Sequence, residues 1–362
     1  MFFAKMFPVF YKSLGDRGCK VGGMVKVQSL ELKEFKNDTL GLLINSGKFS
    51  SFGKIFYQLI MQELNNLPFD NLGYPVLLSL DNGQSFGSGF RLKYKGLNFI
   101  ITAKHVLFDG DNDLRCSYLT MTCQDIGDKK LSPCIFEIDI KEINPVFSLS
   151  ADVAAIHIGW NIKLTEQKIP LKHDKSVSKQ PSVLINLPGI NQITEGSRQI
   201  VSVSHEATRM IEEMCIGNDV YIIGYPVSLG LKQTNQIDFA KPLLRKGCVA
   251  GLNYDKKNII LDCPVYFGNS GGPVIEHGED DYYRIVGVVS QYVPFVNEWV
   301  NRREKYSNVE YLNSGYSIAE PMDAVFELLD SKYQKEINDG PGELSEEIKE
   351  AIKKVKEQFG IK

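Results

Sequence analysis

Three side chains in this sequence have the types needed to break an acyl bond through a covalent intermediate: a serine, an imidazole and a carboxylate. Ser270 lies in Gly268-Asn269-Ser270-Gly271-Gly272-Pro273. A serine between glycines can sit on a tight turn whose backbone N–H groups point at one spot. A hydroxyl is a weak nucleophile at neutral pH, so it needs a base that takes its proton and later returns it to the leaving group. His105, in Thr102-Ala103-Lys104-His105, is the candidate base. Its ring must be held in one tautomer and its transient charge balanced, which suits the carboxylate of Asp152 in Asp152-Val153-Ala154. Asp109, Asp111 and Asp113 are its competitors for that role. The N–H groups of Gly268 and Ser270 form the candidate oxyanion hole, each such donor contributing roughly 3–4 kcal/mol to the transition state where measured.

The elements that must position these groups are strands. From Tyr74 onward the chain reads as short alternating segments separated by turn signals: YPVLLSL, the turn Asp81-Asn82-Gly83, GSGFRLKY, a turn at Lys95-Gly96, and LNFIITA, which places His105 at a strand end. CIFEIDI and ADVAAIHIGW continue the pattern, and VYIIGYP, LLRKGCVAGLNY and IILDCPVYF deliver the chain to Gly268. Residues 160–200 are polar, with Pro170, Pro181 and Pro188, and read as a long insertion without sustained periodicity. ATRMIEEM is expected to be a short helical piece. Pro321 opens a helix with Met322, Val325, Leu328 and Leu329 on one face, and Ser345 caps a final helix with a stripe of Ile348, Ile352, Val355 and Phe359. Residues 1–72 read as an N-terminal extension with one helix around residues 53–66. The Asp109-Asp111-Asp113 run imitates the start of a calcium loop, but Leu114 and Thr120 stand where glycine and glutamate are required, so it is expected to be a solvated turn and no metal is expected. His157, His173, His205 and His277 are expected at the surface.

The order His105, Asp152, Ser270 with these flanking residues resembles the trypsin-like (chymotrypsin-fold) serine peptidases, and within them the HtrA/Deg-type catalytic domain is the nearer likeness. Gly87 to Phe90 (GSGF), Gly217 to Pro226 (GNDVYIIGYP), Asp262 before the nucleophile and the GYSIAEP segment extend the agreement over roughly Tyr74 to Leu329. The resemblance implies a mainly β fold of two antiparallel six-stranded β-barrels, here with helical N- and C-terminal extensions. It divides the chain into residues 1–72, a protease domain at 73–330 and a helical tail at 331–362. It also implies a serine endopeptidase that needs no cofactor and acts on protein or peptide substrates. Relatives of the digestive type have an aspartate before the nucleophile that pairs with a freed N-terminus; Asn269 stands there, so that activation switch is not expected. HtrA proteins usually add a PDZ domain, which the last residues are too few to form.

Counting back from Ser270, Pro264 and Val265 are expected at the base of the primary pocket, with Ser290, Gln291 and Tyr292 as its wall. None is charged, which points to an apolar residue of small to medium size at the cleavage point. A formal charge of −3 gives no field favouring nucleic acid or an anionic membrane. Seven cysteines without a C-x-x-C pair argue against a disulfide framework or zinc ribbon, and Lys5, Pro8 and Lys12 interrupt the apolar N-terminus, so a cytoplasmic chain with free thiols is expected. Two other readings stand beside the peptidase: a catalytically silent protease fold kept for protein recognition, and a protease gated by a regulatory protein bound to the N-terminal extension.

Overall fold

In a computed structural model, the described residues are 67 and 69–358 except positions 84, 128–129, 165–168, 171–177, 180–181, 196–199, 228–233, 279–281, 302, 304–305 and 341–345. The expected N-terminal helix lies outside them. The chain divides into two units, Met1–Asn66 and Leu67–Lys362, and the described residues all belong to the second.

That unit is mainly β. Its first sheet contains β1 (Pro75–Leu80), β2 (Ser85–Tyr94), β3 (Leu97–Thr102), β4 (Tyr118–Asp125), β5 (Ser132–Asp139), β6 (Val146–Phe147) and β7 (Ala154–Lys163). A small separate pair, β8 (Ile169–Pro170) and β9 (Ser178–Lys179), comes next in the chain. Then β10 (Ser182–Asn186), β11 (Ile190–Gln192) and β12 (Val203–Ser204) return to the first sheet. Its hydrogen-bonded order is β10-β7-β3-β2-β1-β4-β5-β11, with β6 on β7 and β12 parallel to β2. The second sheet is β13 (Asp219–Gly224), β14 (Leu243–Asn253), β15 (Asn258–Asp262), β16 (Pro273–His277), β17 (Tyr283–Asn301) and β18 (Tyr306–Pro321). Its six strands close into a ring in the order β13-β14-β15-β18-β17-β16.

The first sheet therefore has ten strands rather than six. The 160–200 segment, expected as a structureless insertion, supplies two of the additions: β10 pairs with β7 and β11 with β5. These strands are short and lie on the sheet's edges, where polar residues satisfy one face without producing a hydrophobic period. The segment expected as helical at 207–214 forms two 3₁₀ turns instead, His205–Ala207 and Ile211–Glu213.

Period-2 alternation distributes the apolar residues between three clusters. Val76, Leu78 and Leu80 of β1 point into the first sheet's core, whereas Phe90 and Leu92 of β2 point the other way, toward the second sheet. On β13, Val220 and Ile222 fill the second barrel while Tyr221 and Ile223 join the cluster between the sheets. The one-turn helix α1 (Lys104–Leu107) and α2 (Ile140–Ile143) follow β3 and β5. Met322, Val325, Leu328 and Leu329 of α3 (Met322–Lys332) are buried in the cluster between the sheets, as their spacing predicts. Two further helices, α4 (Gln334–Asp339) and α5 (Glu346–Gln358), close the chain; of the α5 stripe only Ile352 has a described side chain, and it is half-buried. No helix among the described residues is long and apolar enough to cross a membrane. The six described cysteines are free thiols.

His157 is a correction to the expected surface position: it is buried against Phe99, Trp160 and Tyr333, with Nε2 at 3.2 Å from the Gly159 carbonyl. Burial lowers its pKa from 6.5 to about 4, against the opposing Gly159 carbonyl. Between these values the unfolded chain binds a proton that the folded chain refuses, so stability falls as pH drops through this window. The expected size is on the order of 3 kcal/mol. Urea unfolding at a series of pH values should show this component in the wild type and lack it in His157→Phe.

Candidate active site

The buried apolar strand β3 ends at Thr102, and the chain turns at once into α1. Val106 and Leu107 turn into the core, so His105 is left on the outside with its side chain half exposed. The Arg115 guanidinium donates to the His105 carbonyl at 2.8 Å and fixes the turn from below. Asp152 immediately precedes Val153 and β7, the strand that pairs with β3, and the Thr102↔Ala154 register carries Asp152 to His105. Its Oδ2 accepts from His105 Nδ1 at 2.7 Å and its Oδ1 from the His105 backbone N–H at 3.0 Å. A carboxylate can only accept, so Nδ1 carries the proton and Nε2 is left as the basic nitrogen. Of the competitors, Asp109 spends its carboxylate on the N–H groups of Asp111 and Asp113, as the expected acidic turn.

A third donor reaches the same carboxylate: the Ser290 hydroxyl lies 2.7 Å from Asp152 Oδ2. Burial by itself would raise the Asp152 pKa, but the His105 ring and the hydrogen bonds from His105 and Ser290 outweigh it and hold the carboxyl below its usual value. Asp152 is thus charged throughout the neutral range. Nearby Glu320 is pushed in the opposite direction, first by burial and then by the negative Asp152.

Ser270 sits on a turn tied to both sheets. Asn269, fully buried, closes it: its N–H donates to the Tyr266 carbonyl at 2.9 Å and its Oδ1 accepts from the Tyr266 N–H at 3.3 Å. Gly268 has φ +92° and Gly271 φ +85°, conformations that favour glycine. Ser88, the serine of GSGF on β2, braces this turn from the first sheet. Its hydroxyl donates to the Gly268 carbonyl at 2.5 Å and accepts from the Tyr225 N–H at 2.9 Å, while its own N–H donates to the Ser270 carbonyl at 2.8 Å. With Gly268's carbonyl anchored this way, neither the Gly268 nor the Ser270 N–H donates to a backbone carbonyl among the described residues.

A side chain at position 271 has no room. A Cβ there would lie 2.1 Å from the Ser88 carbonyl oxygen and 2.2 Å from Thr102 Oγ1. We expect Gly271→Ala to lose roughly 3–5 kcal/mol of stability, from the clash and the positive φ together. Denaturant titration of the purified chain measures it.

The sequence-derived residues are brought together unevenly. Asp152 and Ser270 both bind Ser290, whose hydroxyl donates to Asp152 and whose carbonyl accepts from Ser270 Oγ at 3.4 Å, while His105 is held by Asp152. The Ser270 hydroxyl is thus directed at Ser290 rather than at His105. Val265 and Ser290 are buried, Pro264 and Tyr292 half-buried, and Gln291 exposed. Val265 packs in the core of the second barrel, with Tyr292 against the same cluster. The 430 Å³ cleft beside His105 and Asp152 is lined by Lys104, His105, Phe108, Asp109, Gly110, Arg115 and Asp152, and by none of the expected pocket residues. Sequence reasoning placed Ser290 in a pocket wall and missed its hydroxyl's contact with Asp152. Ser88 as a brace has no signal in the sequence beyond its place in GSGF.

No protein-family model matches this chain, and neither does any curated protein. Among the solved structures it is similar to at low identity are the following serine proteases. The serine endoprotease from Yersinia pestis is 13% identical, over 75% of this chain and 69% of that one, with a TM-score of 0.37. Deg5 is 16% identical over 83% and 95%, with a TM-score of 0.40. The HtrA-type protease AlgW with tripeptide is 14% identical over 72% and 60%, with a TM-score of 0.38. Likenesses of this strength carry no site residue across, so each role assigned to a residue rests on this chain's own geometry.

Proposed function

We propose that this chain is a serine endopeptidase of the trypsin-like double-barrel type, with Ser270 as nucleophile, His105 as general base and Asp152 as the orienting carboxylate. The observation that carries the reading is the two-point grip of Asp152 on His105, at 2.7 and 3.0 Å, on the far side of the imidazole from the nitrogen that must take a proton. A structural histidine needs no such tautomer control.

In this reading a polypeptide enters along Ser290 to Tyr292, and a substrate N–H takes over the Ser290 carbonyl now held by Ser270. The 3.4 Å bond that this displaces is long and weak, so releasing the hydroxyl costs little. Ser270 Oγ turns to His105 Nε2 and attacks the carbonyl carbon as its proton passes to that nitrogen. The carbonyl electron pair moves to oxygen, which the Gly268 and Ser270 N–H groups receive. Collapse breaks the C–N bond, and the proton on Nε2 goes to the departing amine. Water then repeats the sequence on the ester and frees Ser270. Asp152, anionic throughout, balances the imidazolium in both halves. Pro264, Gln291 and Tyr292 would meet the side chain at the cleavage point, and their lack of charge favours an apolar residue there.

The test is a burst experiment with a nitrophenyl ester. Rapid release of one equivalent of nitrophenol per chain, followed by slower turnover, is the signature of an acyl-enzyme. Release without a burst at every pH would count against Ser270 as nucleophile. The second reading, a silent or partner-gated module, has one observation on its side: the Ser270 hydroxyl faces Ser290 and not His105. A burst in the isolated chain would dismiss it; a burst only with a protein bound to residues 1–72 would select gating.

A further inference from the structure

Strands β17 and β18 continue far beyond the barrel. The last contact of β17 with β16 is at Val288, and the last of β18 with β15 is at Tyr316. Yet the two strands stay paired with each other from Pro294↔Asn313 out to Asn301↔Tyr306. Over this length they form a two-stranded arm with no other strand beside it among the described residues. A ribbon of two strands is marginal in water unless something covers it.

The arm has the composition of an interface. The register sorts its residues into two faces, because directly opposed residues share a side and successive ones alternate. One face carries Phe295 opposite Leu312 and Trp299 opposite Asn308, with Tyr306 at the outer end. These four apolar side chains are between 49% and 61% exposed, Trp299 among the most. The other face carries Tyr311 and the smaller Val296, Val300 and Val309, so three of the arm's four aromatic rings lie together on the first. The paired stretch holds two charged residues, Glu298 and Glu310, while Arg302, Arg303, Glu304 and Lys305 are concentrated in the sequence between the two strands. Aromatic enrichment and a charge-poor centre with charges kept to its margin are what distinguish the core of a protein interface from ordinary surface.

We infer that the aromatic face of this arm is where two copies of the chain associate, arm against arm about a two-fold axis. The area fits. A standard stable interface takes about 800 Å² from each partner, of which about 56–65% is apolar. The four exposed side chains leave roughly 450 Å² open, which supplies that apolar share. The face is also close to self-complementary, as an isologous contact requires: its one charged residue, Glu310, stands opposite Asn297, whose amide can donate to a carboxylate. Two marginal ribbons then become one four-stranded sandwich. The inference is independent of the proposed peptidase activity.

Sedimentation equilibrium of the full chain, with Trp299 fluorescence followed over the same concentrations, tests it. The expected result is a dimer at micromolar concentration whose Trp299 emission shifts to the red on dilution. Phe295→Asp with Trp299→Asp should weaken the dimer at least about 100-fold, as loss of two aromatic anchors does. Val300→Asp, on the opposite face, should leave it intact, and circular dichroism melts of both variants confirm that the barrels stay folded. A wild type that remains monomeric would overturn the inference, including one in which Trp299 is shielded by another part of its own chain. So would a dimer that survives the double substitution, or one that Val300→Asp dissociates.

Discussion

Replacing Ser270 with alanine should lower kcat by about 10⁶-fold and leave the fold unchanged. The first half follows from the absence of a substitute: in this reading Ser270 carries the nucleophilic hydroxyl, and alanine puts nothing in its place. A residual rate above that of water should persist, because the backbone donors of Gly268 and residue 270 remain and polarise a bound carbonyl without the nucleophile. The second half follows from how little the hydroxyl holds. It makes one 3.4 Å bond to Ser290, whereas the turn itself is secured by backbone groups of Ser270, Asn269 and Gly271 and by Ser88. Steady-state kinetics on a peptide ester, with a thermal melt of the same preparation, checks both halves.

Asp152→Asn should cost about 10⁴-fold in kcat, with KM little affected. The reason is a conflict that the amide cannot resolve. Asp152 accepts from three donors: the His105 backbone N–H, His105 Nδ1–H and the Ser290 hydroxyl. An amide offers one accepting oxygen and one donating NH₂. If the oxygen stays toward the ring, the NH₂ opposes the His105 backbone N–H. If it is reversed, the NH₂ opposes Nδ1, and the proton must move to Nε2, where it prevents the ring from accepting from Ser270. Measuring kcat and KM separately distinguishes this loss from one of binding, since the amide keeps the carboxylate's shape and leaves the cleft lining otherwise unchanged. Ser290→Ala removes one donor and neither of the other two, so its effect should be much smaller.

What could be read from the sequence and what could not have physical causes. The strands around the site were legible because each is apolar on a period of two or throughout, as in LNFIIT and VYIIGYP, and because turn residues separate them. The places of His105, Asp152 and Ser270 beside strands were legible because each is attached to such a strand by a short link. The 160–200 strands were hidden: β10 and β11 lie at sheet edges, where partnership with β7 and β5 decides their conformation and local pattern does not. The buried state of His157 was hidden because it depends on Tyr333, a residue far along the chain. The arm was the largest omission. Pro294 and the polar residues between its aromatics interrupt the alternation, and nothing in a sequence tells that two strands continue together after both have left their barrel. Ser88 belongs to the same group: GSGF marks a strand, but only the tertiary fold sets its hydroxyl against the Gly268 carbonyl.

The most direct test of Ser270 as an activated nucleophile is its reaction with a fluorophosphonate, in which the serine oxygen displaces fluoride from phosphorus. Mass spectrometry of the intact chain, together with mapping of the peptide that carries the added group, reads it. One phosphonyl group per chain is expected, on Ser270, absent from Ser270→Ala and formed far more slowly in Asp152→Asn. A folded wild type that stays unlabelled, with and without a protein bound to residues 1–72, or that is labelled at another residue, would contradict Ser270 as the nucleophile.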